Sequence, residues 1–259
     1  MFFIYAALIS SAFGWAYDAQ GSWPEACSAS KQSPMNLDID STSDVPDKYS
    51  MKMVFLGATK ARNITNTGNL IRVTADFGYI EIGPEDDKRT FLVKYIDFHT
   101  PSEHTLNGVS FPMEMEIILI VQDKYWERDK ENMAIVSVIF KAGIESFFLD
   151  SLEWWNLPST AGATYWTTNT SNINIREVVR STDDYYFYKG SATNPDYSCR
   201  DDVLWYIISE TKQAKQWQIK KVADMFSGGN NREIQSGNPN VYYSASVVIG
   251  AVLSLLLLE

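Results

Sequence analysis

The fold is decided by residues 95–116, which read YIDFHTPSEHTLNGVSFPMEME and contain both histidines of the chain. Asp97 and His99 are separated by one residue. Glu114 and Glu116 repeat that spacing. Residues i and i+2 of an extended strand point to the same face of a sheet. Two such strands lying side by side would aim four polar side chains at one point, which predicts a metal site built on a β-sheet.

Alternating apolar and polar residues predict further strands over much of the chain. They fall at residues 51–56, 70–82, 91–99, 113–122, 133–141, 185–189 and 203–209. The apolar run MAIVSVIF, at residues 133–140, predicts a central strand buried on both faces. Residues 144–152 permit a short helix, and residues 209–224 are ambiguous. With 259 residues and 45% hydrophobic content, the chain is expected to form one mainly β domain.

The segment resembles the metal-binding core of the alpha-class carbonic anhydrases, in which one strand offers His-x-His, a loop carries Ser-Glu-His and the next strand supplies Glu-x-His. The matching letters are Asp97-Phe98-His99, Ser102-Glu103-His104 and Glu114-Met115-Glu116. Other family motifs occur in order at Gln32-Ser33-Pro34, Asn66-Thr67-Gly68, Gly190-Ser191-Ala192-Thr193 and Trp205. The resemblance spans residues 15–235 and implies a large twisted central sheet with short peripheral helices.

Only His99 remains of the three zinc-binding histidines that the resemblance implies, because Asp97 and Glu116 stand at the other two positions. In the family, three neutral imidazoles hold a zinc ion that lowers the pKa of its bound water to about 7, so that hydroxide attacks carbon dioxide. Two carboxylate ligands would stabilise the dication but reduce its pull on the electrons of the bound water. Hydroxide at neutral pH would then be scarcer. One imidazole with two carboxylates favours manganese, magnesium or calcium, or no metal, over zinc.

Other parts of the family's machinery are partly present. Glu103 and Thr193 match the pair that orients the zinc-bound hydroxide. Asn194 stands where a second threonine is usual, and Asn69 where fast members carry a proton-shuttling histidine, which an amide cannot replace. His104 resembles a buried structural histidine of the family.

These departures favour a carbonic-anhydrase-like domain that does not hydrate carbon dioxide efficiently and acts by binding an unidentified extracellular protein or glycan. In that interpretation the altered ligands form a buried polar cluster, with a proton held on one carboxyl group. One alternative is a slow but working lyase with an Asp/His/Glu metal site. Another is a calcium- or mineral-associated acidic protein. A net charge of −10 argues against a nucleic-acid partner.

The first 14 residues are apolar and end in Ala12-Phe13-Gly14, a pattern that predicts a cleaved signal peptide, with a buried first strand or helix as the alternative. A secretory route would let the two cysteines, Cys27 and Cys199, oxidise, and secreted members of the family pair cysteines at matching places. The sequons at Asn63 and Asn169 are candidate glycosylation sites in the same compartment.

The apolar run at residues 241–258 is long enough to span a bilayer and is followed by no Lys or Arg. This pattern favours a GPI signal, with a retained membrane helix or a core helix as alternatives. Candidate attachment sites are Ser227-Gly228-Gly229 and Ser236-Gly237-Asn238, the first followed by the spacer NNREIQSGNP. We therefore expect residues 236–259 to be an anchor segment on the extracellular face of the plasma membrane.

Overall fold

The computed structural model describes residues 17–28, 31–55, 62–122, 131–168, 173–194, 197, 199–236 and 240–245. Its strands are β1 (Asn36–Leu37), β2 (Ser43–Asp44), β3 (Met51–Phe55), β4 (Asn63–Asn66), β5 (Ile71–Thr74), β6 (Gly78–Ile82), β7 (Arg89–His99), β8 (Thr105–Leu106), β9 (Val109–Ser110), β10 (Met113–Val121), β11 (Met133–Ala142), β12 (Thr164–Trp166), β13 (Tyr185–Gly190), β14 (Val203–Ile208), β15 (Lys212–Ala214) and β16 (Tyr242–Ser244). The α-helices are α1 (Phe147–Ser151) and α2 (Gln216–Ala223). Short 3-10 helices lie at Tyr17–Ser22, Glu25–Ser28, Asp47–Tyr49, Trp154–Asn156 and Ile175–Glu177.

A mixed sheet of 13 strands forms the body of the domain, as the mainly β prediction requires. Its principal order is β12-β4-β5-β7-β10-β11-β14-β13-β16-β2. The two strands that carry the quoted polar residues, β7 and β10, lie in the middle of this order. The candidate site therefore lies at the centre of the sheet.

The antiparallel register of β7 and β10 places Glu114 opposite His99 and Glu116 opposite Asp97. All four side chains are fully buried. The spacing of these residues thus predicted their common face correctly. The only register shift between the two strands lies at Ile118/Leu119, beyond the site.

Strand β11 confirms the prediction of a central strand buried on both faces. Val136 and Val138 belong to one apolar cluster, while Ile135 and Ile139 belong to a second cluster on the other side of the sheet. The alternation follows from the two-residue period of a strand. Because helices and loops cover both faces here, every position from 133 to 140 is buried.

The sheet continues past residue 235, where the sequence predicted the domain to end. Tyr242–Ser244 forms β16, which pairs antiparallel with β13 and parallel with β2. Three residues carry too little periodicity to predict a strand, and the pairing that fixes β16 joins it to residues far away in sequence. The ambiguous stretch at residues 209–224 contains β15 followed by α2.

A disulfide joins Cys27 to Cys199 across 172 residues of sequence, as predicted. Among the described residues, no helix is long and apolar enough to cross a bilayer. The expected signal peptide, the sequon asparagine Asn169 and residues 246–258 of the apolar run lie outside the described residues.

Replacing Cys27 and Cys199 together with serine is expected to lower the free energy of unfolding by about 2–5 kcal/mol, because the disulfide closes a long loop in the unfolded chain. Denaturant titration of the protein expressed in a secretory host measures this change. Reductant should bring the unmodified protein to the stability of the double variant and leave the variant unchanged. Equal stability of the unmodified protein with and without reductant would contradict the expectation.

Candidate functional site

Asp97 is held by an arginine from the neighbouring strand. Arg72 on β5 lies directly opposite Asp97 on β7. Its Nε and one terminal nitrogen donate to Oδ1 and Oδ2 of Asp97, each at 2.8 Å. The guanidinium also stacks on the ring of Tyr95, 3.6 Å from its centroid. Both oxygens of the expected metal ligand, which is fully buried, therefore take part in a bidentate ion pair with a partly exposed arginine.

His99 lies between two carboxylates and a backbone carbonyl. Its Nδ1 donates to the carbonyl oxygen of Asn230 at 2.7 Å and lies 3.3 Å from Oε1 of Glu103. Its Nε2 lies 3.5 Å from Oε2 of Glu116, within ion-pair distance but without the alignment of a hydrogen bond. Burial disfavours the charged ring, but Glu103 and Glu116 outweigh it and raise the pKa of His99 to about 10.

Thr193 donates its hydroxyl proton to Glu116, whose two carboxyl oxygens both lie 3.5 Å from Oγ1. Burial and the nearby Glu103 raise the pKa of Glu116 well above its usual range, against the opposing effect of His99. The expected pair of Glu103 with Thr193 is thus replaced by Glu116 with Thr193. The physical reason is that Glu116 puts a carboxylate beside the threonine, while Glu103 accepts from the backbone N–H of Arg232 at 3.0 Å.

His104 and Glu114 form a separate structural pair. Nδ1 of His104 lies 2.7 Å from Oε1 of Glu114, and its Nε2 lies 2.6 Å from the hydroxyl of Tyr188. Glu114 also accepts from Ser137 and from the backbone N–H of His104. Burial opposes its ionisation, but the His104 ring and these donors lower the pKa of Glu114 to about 2. Both nitrogens of the His104 ring are engaged, as expected of a structural histidine.

Tyr17 packs beside the cluster. Tyr17 donates to the carbonyl oxygen of Thr193 at 3.4 Å, and its ring meets His99 edge-on at 5.9 Å between centroids. A cavity of about 210 Å³ lies beside Tyr17 and is also lined by Asn69 and Asn230. The backbone carbonyl of Asn69 accepts from the side chain of Asn230 at 3.0 Å. The position expected for a proton shuttle therefore lies at a cavity wall and offers an amide.

The family's zinc site does not fit these residues. Zinc needs ligand atoms that converge on one point, whereas Asp97 belongs to neither of the converging ligand groups found among the described residues, and its charge is paired with Arg72. A different set comes together instead, because one ligand atom each from His99, Glu103 and Glu116 lies within 4.8 Å of the others. Glu103 contacts Nδ1 of the imidazole, and Glu116 approaches Nε2. In these contacts the ring lies between the two carboxylates.

The charged groups of the cluster lie close to groups that can compensate them. Arg72 pairs with Asp97, and Nδ1 of His99 lies 3.3 Å from Glu103. The raised pKa of Glu116 favours the form of its carboxyl group that keeps the proton. Buried carboxylates require such compensation because burial removes the water that would otherwise stabilise them. The arrangement can hold protons and order the strands around it.

The chain matches the model of the eukaryotic-type carbonic anhydrases over residues 16–241. It belongs to this family. Receptor-type tyrosine-protein phosphatase zeta from Homo sapiens is 27% identical over 80% of this chain, and a carbonic anhydrase from Dunaliella salina is 25% identical over 83%. The solved structure of a hyperthermostable carbonic anhydrase from a hydrothermal vent chimney is 28% identical, with a TM-score of 0.72 over 88% of this chain and 99% of its own. The chain spans only 10% of the phosphatase and 40% of the Dunaliella protein.

Three residues that hold this carbonic-anhydrase-like site were missed in the sequence. Arg72 lies in a predicted strand, but its pairing with Asp97 depends on which strands become neighbours. Asn230 and Arg232 fall in the stretch interpreted as a polar spacer, yet both side chains are buried. Arg232 donates to the carbonyl of Cys27 at 2.6 Å, which ties this stretch to the disulfide. A buried Asn and Arg between glycine-rich turns give no periodic signal.

The stability of the protein is expected to fall as the pH rises from about 6.5 to about 10. A group whose pKa is raised on folding stabilises the folded state below its unfolded value, and this contribution is lost as the pH passes the folded value. For His99 these values are 6.5 and about 10. Denaturant titrations across this range should show a steeper decline for the unmodified protein than for His99→Gln. Equal loss of stability with rising pH in the unmodified protein and in His99→Gln would contradict the ion pairing of His99.

Proposed function

We propose that this chain is an extracellular, surface-anchored carbonic-anhydrase-like domain that hydrates carbon dioxide poorly, if at all, and acts by binding. The observation that carries the proposal is the bidentate ion pair of Arg72 with Asp97, at a ligand position of the family's zinc site. A guanidinium is permanently charged, but it cannot act as a Lewis acid that binds water and lowers its pKa. It therefore supplies positive charge, as a metal ion would, but it does not convert bound water to hydroxide.

The residues around the ion pair support the same proposal. The hydroxyl of Thr193 faces Glu116, so it is not placed to orient a nucleophile through Glu103. Asn69 offers no group that titrates near neutral pH. The chain therefore lacks the usual residue arrangement for orienting the nucleophile and the usual residue for transferring its proton.

A second candidate function is a slow lyase or a weak binder of divalent cations. It is favoured by the buried group of His99, Glu103 and Glu116, in which Nε2 of His99 and Oε2 of Glu103 lack hydrogen-bond partners among the described residues. Two carboxylates and one imidazole suit manganese, magnesium or calcium better than zinc. We rank it second because His99 and these carboxylates already compensate one another's charge.

A binding role in the secretory pathway is supported by the disulfide and by the relatives. The Cys27–Cys199 bond is typical of an oxidising compartment. The match to phosphatase zeta covers 10% of that protein, so the same fold occurs as one segment of a receptor-type protein named for another activity. The partner that we propose is an extracellular protein or glycan, and the membrane is reached through the C-terminal segment.

The protein purified from a secretory host is expected to contain well under one equivalent of zinc and to lack efficient hydratase activity. Combining Arg72→Asn, Asp97→His and Glu116→His should create three imidazoles without a neighbouring cation, and this variant should bind about one equivalent of zinc. Asp97→His with Glu116→His alone should bind zinc more weakly, because the unpaired guanidinium of Arg72 repels the ion. Metal analysis after dialysis and carbon dioxide hydration assays measure both effects.

The triple variant should gain slow hydratase activity, and adding Asn69→His should raise it mainly in weak buffer, where proton transfer limits the rate. Free zinc at the same concentration is the control. A triple variant with bound zinc but no activity would show that ligand replacement is insufficient and would turn attention to Asn194, which stands where a second threonine is usual. Stoichiometric zinc and equal activity in the unmodified protein would contradict the proposal.

The mature protein is expected to retain Tyr242–Ser244. Cleavage at Ser227-Gly228-Gly229 would remove Asn230 and Arg232, whose bonds hold His99 and Glu103. Cleavage at residues 236–238 would still remove β16 from the sheet. Both attachment sites considered from the sequence therefore conflict with the folded domain.

Peptide mapping of the protein released from cell surfaces tests this expectation by searching for the peptide that contains residues 242–244. Phosphatidylinositol-specific phospholipase C provides the second measurement, since it releases a GPI-linked protein and leaves a retained helix in the membrane. A mature chain that ends at residue 229 or 238 would contradict the expectation. In that case strand β16 would be dispensable for folding.

A further inference from the structure

The sequon at Asn63 lies on the two strands at one end of the large sheet. Strand β12 pairs antiparallel with β4, so that Trp166 lies opposite Asn63 and Thr164 lies opposite Thr65. In the described part of the chain, β12 has β4 as its only strand neighbour. An edge strand of this kind leaves one row of backbone groups without a strand partner.

The hydrogen-bond pattern brings Asn63 and Trp166 especially close. The N–H of Asn66 donates to the carbonyl of Ala163 at 3.0 Å, and the N–H of Thr167 donates to the carbonyl of Arg62 at 3.4 Å. The even-numbered residues of this segment, such as Arg62 and Asn66, therefore form the hydrogen-bonded pairs with β12 and its flanking residues. Asn63 and Thr65 occupy non-hydrogen-bonded pairs, in which the Cα atoms of opposite residues are only about 4.5 Å apart.

The side chains of these pairs share one face of the sheet, because directly opposite residues do so. The hydroxyls of Thr65 and Thr164 are 2.9 Å apart. Ile64, between the two sequon residues, is fully buried on the other face. The sequon thus presents its asparagine and threonine together, away from the core.

Trp166 is 63% exposed, and no hydrogen bond or ring contact to its indole is found among the described residues. Covering an exposed apolar ring is favourable because it removes apolar surface from water. Asn63 lies directly across the strand pair from Trp166 and is partly exposed. A group attached to its amide would be within reach of the indole.

We propose that Asn63 carries an N-linked glycan whose first sugar residue packs on the indole of Trp166. The proposal rests on the secretory route of the proposed function. The first sugar of such a glycan is an N-acetylhexosamine, which has an apolar face of C–H groups and an acetamido methyl group. Packing that face on the ring covers apolar surface of Trp166, and the remaining sugars lie over the open edge of β12.

The covalent step is the ordinary transfer of a lipid-pyrophosphate-linked oligosaccharide in the secretory pathway. The amide nitrogen of Asn63 forms a bond to the anomeric carbon of the sugar and loses a proton. The bond between that carbon and the phosphate oxygen breaks, and the lipid pyrophosphate leaves with its electron pair. No oxidant or reductant is required.

Glycosylation is tested on the full chain expressed in a secretory eukaryotic host. Peptide N-glycosidase F converts a glycosylated asparagine to aspartate, and mass spectrometry of the peptide that contains residue 63 detects this change. Thr65→Ser keeps the sequon and is expected to keep the glycan. Asn63→Gln and Thr65→Ala should abolish it, while Asn169→Gln should leave it in place.

Packing is tested by a cycle of variants at Asn63 and Trp166. Trp166→Ala is expected to lower the Tm of the glycosylated protein by about 2–4 °C, as for loss of one aromatic contact in a domain of this size. The same substitution in the Asn63→Gln background should change the Tm by much less. Trp166→Phe, which keeps a flat ring, should restore most of the loss.

An unmodified Asn63 in a protein that contains the Cys27–Cys199 disulfide would overturn this inference and leave the proposed secretory function standing. An unmodified Asn63 together with free thiols would overturn the secretory route and the inference with it. Equal effects of Trp166→Ala in the glycosylated and unglycosylated backgrounds would overturn the packing of the sugar on the ring. A larger effect in the glycosylated background supports it.

Discussion

The buried ion pair between Arg72 and Asp97 is the interaction on which the centre of this molecule depends. A carboxylate without water needs a positive charge within a few ångströms, and removing one partner of such a pair costs about 3–5 kcal/mol. In the enzymes of the family a metal ion supplies positive charge at this place. Here the charge belongs to a side chain one strand away and is present as soon as the sheet forms.

The rest of the polar cluster surrounds His99. Asp97 pairs with Arg72. Burial disfavours the charged imidazole of His99, but Glu103 and Glu116 outweigh it and raise the pKa of the ring. Burial and Glu103 raise the pKa of Glu116. The backbone of Asn230 and Arg232 completes the hydrogen bonds of His99 and Glu103. Burial and the close approach of His99, Glu103 and Glu116 to one another thus set the pKa values of His99 and Glu116.

The sequence predicted those parts of the fold that depend on local spacing. The common face of Asp97, His99, Glu114 and Glu116 follows from the two-residue period of strands, and the doubly buried β11 follows from its apolar run. Arg72 escaped prediction because its role depends on β5 lying beside β7, which no local pattern encodes. Strand β16 and the buried Asn230 and Arg232 were missed for the same reason, since long-range pairing and packing position them.

In the proposed function, a guanidinium in place of a metal ion accounts for a fold that persists without the family's chemistry. The guanidinium of Arg72 stabilises the buried carboxylate of Asp97 across the β5–β7 pair, where the family's zinc is held by neutral imidazoles. Only the metal can accept a lone pair from water, and that step makes hydroxide available at neutral pH. Under this proposal, structure and catalysis separate at one position, because Arg72 supplies the positive charge that Asp97 requires but cannot bind and activate water.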